Sequence, residues 1–340
     1  MIAELTHVSA ALRLEIIDNF SDWKALEPEW WSLVKQLPST TPFQLPAWLY
    51  TWWSHFGNGR LRVFALRENH ALRGIVPCFL HEWEGLRQIT LIGSGVSDYL
   101  EPPVESGNRS LMIEQMRQYL AETPDWDVCN WQDLAHNTLF REMRSGDGLD
   151  VQMCADTPCT RIPLAGSFDE FSRGLPKHLR GNLRRDRQKA ERGGTVEFSV
   201  RTSVDTALIS TLISLHAARW ARQGMPGMVV ANSSVGFLRD VANRLVVEDM
   251  LRLFTLRYRG EIAAIIFGIA YRNTLYNYLT AFDPEHEALG LGRTLLYESV
   301  RYTFENEFSA WDFLRGDERY KFWWGAELEP KSRVIVTRAA

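Results

Sequence analysis

Cysteine is scarce in this chain of 340 residues: Cys78, Cys129, Cys154 and Cys159 are the whole supply. None stands in C-x-x-C spacing, and the eight histidines are scattered, which argues against a metal site. The same scarcity fits a reducing cytoplasm better than a disulfide framework. Long apolar runs are missing too: nothing approaches the roughly 18 residues a membrane-spanning helix needs. Residues 1–14 lack the charged-then-apolar architecture of a signal peptide. Charge of one sign is not in excess, and a net charge of −4 gives nucleic acid no general reason to bind.

Tryptophan, by contrast, is plentiful, with 13 copies that cluster at Trp30-Trp31, Trp52-Trp53 and Trp323-Trp324. Such residues read first as core or cleft wall, and second as a stacking surface for a sugar or another flat substrate. The length accommodates two domains, each with an ample core.

The chain repeats itself. Leu61-Arg-Val-Phe-Ala-Leu-Arg67 lines up with Leu251-Arg-Leu-Phe-Thr-Leu-Arg257, an offset of 190 residues that continues as Leu72 with Ile262, Ile75 with Ile265 and Val76 with Ile266. Trp126-Asp127 echoes Trp311-Asp312 further on. Chance similarity of two apolar hairpins is the plain alternative to duplication. The duplication reading predicts two α/β (α+β) mixed-sheet domains in tandem, residues 1–157 and 158–340, joined through a segment punctuated by Pro158, Pro163 and Gly166.

The copies differ where chemistry is expected. In the second, an aromatic strand pattern over Leu275 to Phe282 runs into Gly290-Leu291-Gly292, then a helical pattern from Thr294 to Glu305 and a short apolar run, Trp311 to Leu314. A glycine turn opening a helix exposes unpaired N–H groups at the positive end of the helix dipole, where a phosphate can sit. A tight connector is the plain reading of the same glycines. A P-loop would need Lys-Ser/Thr where Arg293-Thr294 stands with the wrong spacing, and a dinucleotide fingerprint would need Gly at Leu295. The first copy has only Ser106-Gly107-Asn108 at the matching place, so catalysis is assigned to the second copy and a scaffold or acceptor wall to the first.

The residues Glu287-Ala-Leu-Gly290-Leu-Gly292 resemble the pyrophosphate loop of the GNAT acyltransferases, with Glu287 departing from its basic or amide first position. His216-Ala-Ala-Arg219-Trp220-Ala-Arg-Gln-Gly224, Phe282-Asp283 and Asp312-Phe-Leu-Arg315-Gly-Asp-Glu-Arg-Tyr320-Lys321-Phe-Trp-Trp324 extend the likeness toward the CelD-like branch of that superfamily, over about Ser167 to Trp324. The resemblance implies a tandem duplicated GNAT fold, also found in the related FemABX transferases. It implies transfer of an acyl group from acetyl-CoA or another acyl-CoA to an amine of a small molecule or sugar by direct attack, without a metal.

Carried over on that resemblance, Leu279, Ala281 and Phe282 belong to the strand that meets the thioester, and Gly290, Leu291, Gly292, Arg293 and Thr294 to the phosphate cradle. Tyr320 is the proposed acid. The base is left among Asp312, Asp283, Glu298, His216 and water; His216 is otherwise a satisfied core residue. Arg219, Trp220, Asp98, Arg315, Lys321 and Trp324 are the acceptor-side candidates, with a structural ion pair the alternative for Arg315 and Lys321. A basic helical stretch, Lys177 to Arg192, reads as a solvated face or as an anion site. It keeps two other donors open, an aminoacyl-tRNA as in FemABX enzymes and an acyl carrier protein.

Overall fold

The computed structural model describes residues 12–69, 71–222, 224 and 231–339. The chain forms two compact units. The first comprises Met1–Trp53, Gly57–Asp156 and Lys331–Ala340, the second Ser54–Phe56 and Thr157–Pro330. The expectations for residues 1–11 and for most of the loop after Gly224 lie outside the described residues.

Three helices early in the chain, α1 (Phe20–Ala25), α2 (Glu27–Gln36) and α3 (Pro46–Phe56), follow strand β1 (Leu12–Ile17). Asn19 caps α1 by accepting from the Asp22 amide, and Pro at the first turn opens α2 and α3. Strands β2 (Arg60–Glu68), β3 (Ala71–Trp83) and β4 (Leu86–Leu91) then form an antiparallel meander beside β1. Helix α4 (Arg109–Glu122) crosses to β5 (Val128–Ala135), which runs parallel to β4. Strand β6 (Leu149–Pro163) leads onward into the second unit.

In the second unit α5 (Phe168–Gly174), α6 (Lys177–Gly193), β7 (Val196–Arg201), α7 (Thr206–Arg222) and α8 (Asn232–Val247) precede the meander β8 (Leu251–Tyr258), β9 (Glu261–Tyr271) and β10 (Thr274–Phe282). Helix α9 (Leu291–Glu305) crosses to β11 (Ala310–Arg315), parallel to β10; α10 (Arg319–Trp323) and β12 (Glu327–Arg338) follow. Successive residues of β9 are buried from Ala263 to Ile269, so both faces of this sheet are covered.

The two sets of strands have one pairing scheme. The orders β1-β2-β3-β4-β5-β12 and β7-β8-β9-β10-β11-β6 both run antiparallel, antiparallel, antiparallel, parallel, antiparallel. The match extends to single residues. Phe64 faces Val76 where Phe254 faces Ile266, and a bulge between Leu66 and Arg67 recurs between Leu256 and Arg257. The duplication is therefore structural. The second echo is not: the first parallel pairs, Gln88 with Val128 and Thr274 with Ala310, align Val128 with Ala310, so Trp126 does not correspond to Trp311.

The sequence boundary at 157/158 also needs one correction. Strand β12 pairs with β5, and its Val334 and Val336, both fully buried, belong to the first unit's core with Trp131 and Phe140. Residues 331–340 thus complete the first unit although they follow the second in sequence. Among the described residues no helix is long and apolar enough to cross a membrane.

Candidate active site

The site begins where two neighbouring strands separate. β10 and β11 are paired through Thr274–Ala310, Leu275–Trp311 and Tyr276–Asp312, and no further. Beyond that point each keeps only its outer neighbour, β10 with β9 and β11 with β6. A register shift lies at the fork on each strand, between Asn277 and Leu279 and between Asp312 and Leu314. An extra residue bends a strand away from its old partner, so paired bulges account for the parting.

The fork exposes backbone donors. Asp283 donates its amide to Ala263 O at 2.8 Å, fixing the alternation along β10. Counting back by two, Ala281 also points its N–H to β9, and the amides of Thr280 and Phe282 face the opening. A second donor group lies at the start of α9. Gly290 takes φ +63° and is the N-cap, with no side chain capping the helix. The first-turn amides of Leu291, Gly292 and Arg293 therefore remain open to an anion. Glycine is required at 290 for two reasons: the left-handed backbone, and the Asp186 carboxylate, which fills the place a Cβ would take.

Both donor groups open on one cavity of about 300 Å³. Its wall combines Asn277, Thr280 and Phe282 of β10 with Asp283, His286 and Glu287 of the following turn and with Gly290 to Arg293. Leu179, Arg219, Ile266, Leu296, Tyr320, Trp323 and Trp324 complete it. The turn is held in place from two helices: Lys189 of α6 donates to Ala288 O at 2.9 Å and Arg222 of α7 to Pro284 O at 2.7 Å. Arg219 lies over the Phe282 ring, 4.6 Å from its centroid.

A family model for the acetyltransferase (GNAT) domain matches residues 177–322. This segment is similar to that domain family. Solved structures agree on the fold. FemX superposes with a TM-score of 0.64 at 11% identity, over 94% of this chain and 96% of FemX. A domain assigned to a lysylphosphatidylglycerol synthetase of Agrobacterium fabrum gives 0.58 at 10%, over 92% of each chain. A tandem GNAT protein from the clavulanic acid biosynthesis pathway gives 0.51 at 12%, over 96% of this chain and 99% of that one. No curated protein matches the sequence.

The candidate residues separate into those at the cavity and those elsewhere. Phe282, Gly290, Leu291, Gly292, Arg293, Arg219, Tyr320 and Trp324 line it. Leu279 and Ala281 do not: side chains alternate along a strand, and these two are buried on the other face from Thr280 and Phe282. Thr294 turns its hydroxyl back to Gly290 O at 3.3 Å. Asp312 is 2% exposed and accepts from the Leu314 amide at 2.7 Å, supporting the bulge where Leu314 has φ +63°. That makes it a strand-shaping residue outside the cavity wall. Lys321 is corrected more sharply. Its buried ammonium donates to Leu314, Arg315 and Gly316 carbonyls and pairs with Glu318 at 2.8 Å, leaving no N–H for a substrate. Arg315 is half-buried at the end of β11, and Asp98 lies in the loop after β4 in the first unit. Glu298 pairs with Arg301, away from the cavity.

His216 is buried, with Nε2 accepting from the Trp220 indole at 2.8 Å. Burial, and then the Arg219 charge, lower its pKa to about 4. The imidazole is neutral at pH 7, and it lies outside the cavity wall. A folded pKa below the unfolded value means the unfolded chain binds more protons between about pH 6.5 and 4. Stability is therefore lost as pH falls through that window, by about 3 kcal/mol for this one group. Urea unfolding at pH 7 and pH 4 should show that loss in wild type and a smaller one in His216→Phe.

Sequence reading passed over Asn277, Thr280 and His286, because only the bulge and the turn bring them to the wall. Tyr320 is 43% exposed with its ring edge-on to Phe313 at 6.0 Å. Desolvation and the Glu318 carboxylate raise its pKa to about 12, so the hydroxyl keeps its proton at neutral pH.

Proposed function

We propose that the GNAT-like segment transfers an acyl group from a CoA thioester to an amine of a small molecule or saccharide. The observation that carries this reading is the meeting of two sets of bare amides, at the parted strand and at the helix start, on one cavity. Thr280 and Phe282 would present N–H groups to the acyl carbonyl, stabilisation worth a few kcal/mol per donor. The amides of Leu291, Gly292 and Arg293 would hold the donor's phosphates, and the uncapped, Cβ-free turn at Gly290 fits such a group. CoA supplies the activated thioester. Tyr320 would give a proton to the departing sulfur. Asp283, whose Oδ2 is 4.0 Å from His286 Nε2, is the weighed base that lines the cavity, and this pair is assigned the amine's proton. Arg219 and Trp324 would form the acceptor wall, and the amine attacks directly, with no covalent enzyme intermediate.

Calorimetric titration with acetyl-CoA and with longer acyl-CoA tests the reading, followed by thiol release with a panel of amines. Binding is expected at micromolar concentration; absence of binding to either ligand would sink it. One observation favours a second reading. Lys177, Arg180 and Arg184 stand exposed along one side of α6, whose Leu179 reaches the cavity, a face suited to an aminoacyl-tRNA donor. Salt-sensitive RNA binding without CoA binding would select it.

A further inference from the structure

The turn at Gly290 has a neighbour that the acyl-CoA reading leaves unexplained. Asp186 comes from the middle of α6, on the same side of that helix as Leu179, and its carboxylate lies against Gly290. It also bonds the Arg293 guanidinium, Oδ2 to an Nη at 2.9 Å, with the Asp186 side chain 16% exposed and that of Arg293 38% exposed. Arg293 is the one cationic side chain in the first turn of α9. An acidic group is thus placed at the positive end of the helix without capping it, and it engages the cation a phosphate would use.

The perch is fixed. Lys189, one turn further along α6, donates to Ala288 O in the same turn, so α6 and the loop move together. The carboxylate can leave Arg293 by side-chain rotation, and burial already disfavours its charge, with Arg293, Arg185 and Lys189 acting in the opposite direction. A second carboxylate, Glu287, lines the cavity. The cradle therefore combines bare amides, which favour a phosphate, with an internal anion, which opposes one.

We propose that Asp186 is an internal competitor for the donor's phosphate: it holds Arg293 until the donor takes that guanidinium, and so sets donor affinity. The proposal rests on the acyl-CoA reading for the identity of the donor, but not for the competition itself. Like charges brought together at a site cost affinity, and a pair that must be broken before binding lowers it further.

The test is a double-mutant cycle on the full chain: wild type, Asp186→Asn, Arg293→Gln and the double variant, each titrated calorimetrically with CoA and with inorganic pyrophosphate. Asp186→Asn keeps the side-chain shape, and Asp186→Ser serves as a second variant should it fold poorly. The expected result is a gain of about tenfold in affinity for Asp186→Asn, the weight of one charge-assisted pair, and little or no gain when Arg293 is already Gln. Unchanged or weaker binding by Asp186→Asn would overturn the proposal and make Asp186 a residue that orients Arg293. An equal gain in the Arg293→Gln background would overturn competition for Arg293. If no variant binds CoA while Asp186→Asn takes up pyrophosphate more tightly than wild type, the CoA reading falls and the competition stands. If neither ligand binds any of the four proteins, both fall.

Discussion

Gly290→Asp should abolish CoA binding while leaving the protein folded, with affinity reduced at least about a hundredfold, or about 3 kcal/mol. The expectation combines three effects. The backbone at 290 is left-handed, which costs an ordinary residue about 1–2 kcal/mol and aspartate somewhat less. The new Cβ would meet the Asp186 carboxylate, which must swing aside. The added carboxylate would then cap the open amides and present a negative charge where the donor's phosphates belong. The first two effects lower stability, and the third partly offsets them through the new cap while it opposes binding. The thermal midpoint should therefore fall by a few degrees while the calorimetric signal disappears. Gly292→Ala is the milder comparison: its Cβ would come 3.0 Å from the Phe282 ring, a contact the ring relieves by a small shift. Wild-type CoA affinity in Gly290→Asp would mean that the turn is a connector and the donor is held elsewhere.

Tyr320→Phe should lower kcat about a hundredfold or more with KM little changed, because the hydroxyl is assigned to proton transfer and not to ground-state binding. The ring itself packs against Phe313, and phenylalanine preserves that contact, so the melting temperature should stay near wild type. The pH profile separates this role from a packing role. With the Tyr320 pKa raised to about 12, wild-type activity should persist to strongly alkaline pH before the protonated form is lost. The Phe variant should have no such limb. A kcat within threefold of wild type would remove Tyr320 from the chemistry and leave solvent as the proton donor.

The parts of this fold that were legible in the sequence are those set by short-range periodicity. The apolar alternation in the two hairpins is long enough that one offset related them, and the structure adds a shared bulge after Leu66 and Leu256. The glycine turn was legible because Gly290 and Gly292 answer local constraints of backbone and helix start. What the sequence hid was set by partners distant along the chain. Asp312 resembles a catalytic carboxylate in a motif, and only the bulge shows its oxygen committed to the Leu314 amide. Lys321 carries a charge that reads as a ligand for anions, yet three carbonyls of one turn enclose it. His216 looked like an acid–base group, and desolvation leaves it a neutral acceptor for Trp220. Asp186 drew no attention within a basic run, because its meaning comes from Gly290 and Arg293 on another helix.

The placement of β12 beside β5 has a consequence for how the protein is made. During translation the earlier half emerges with β5 lacking its outer partner, and residues 331–338 are polymerised only after the whole later half. At ordinary elongation speeds that is a wait on the order of ten seconds with an open strand edge, the kind of surface chaperones shield and nascent chains aggregate through. The earlier half therefore cannot finish before the later one has been made: its last strand is the trailing ribbon of the chain.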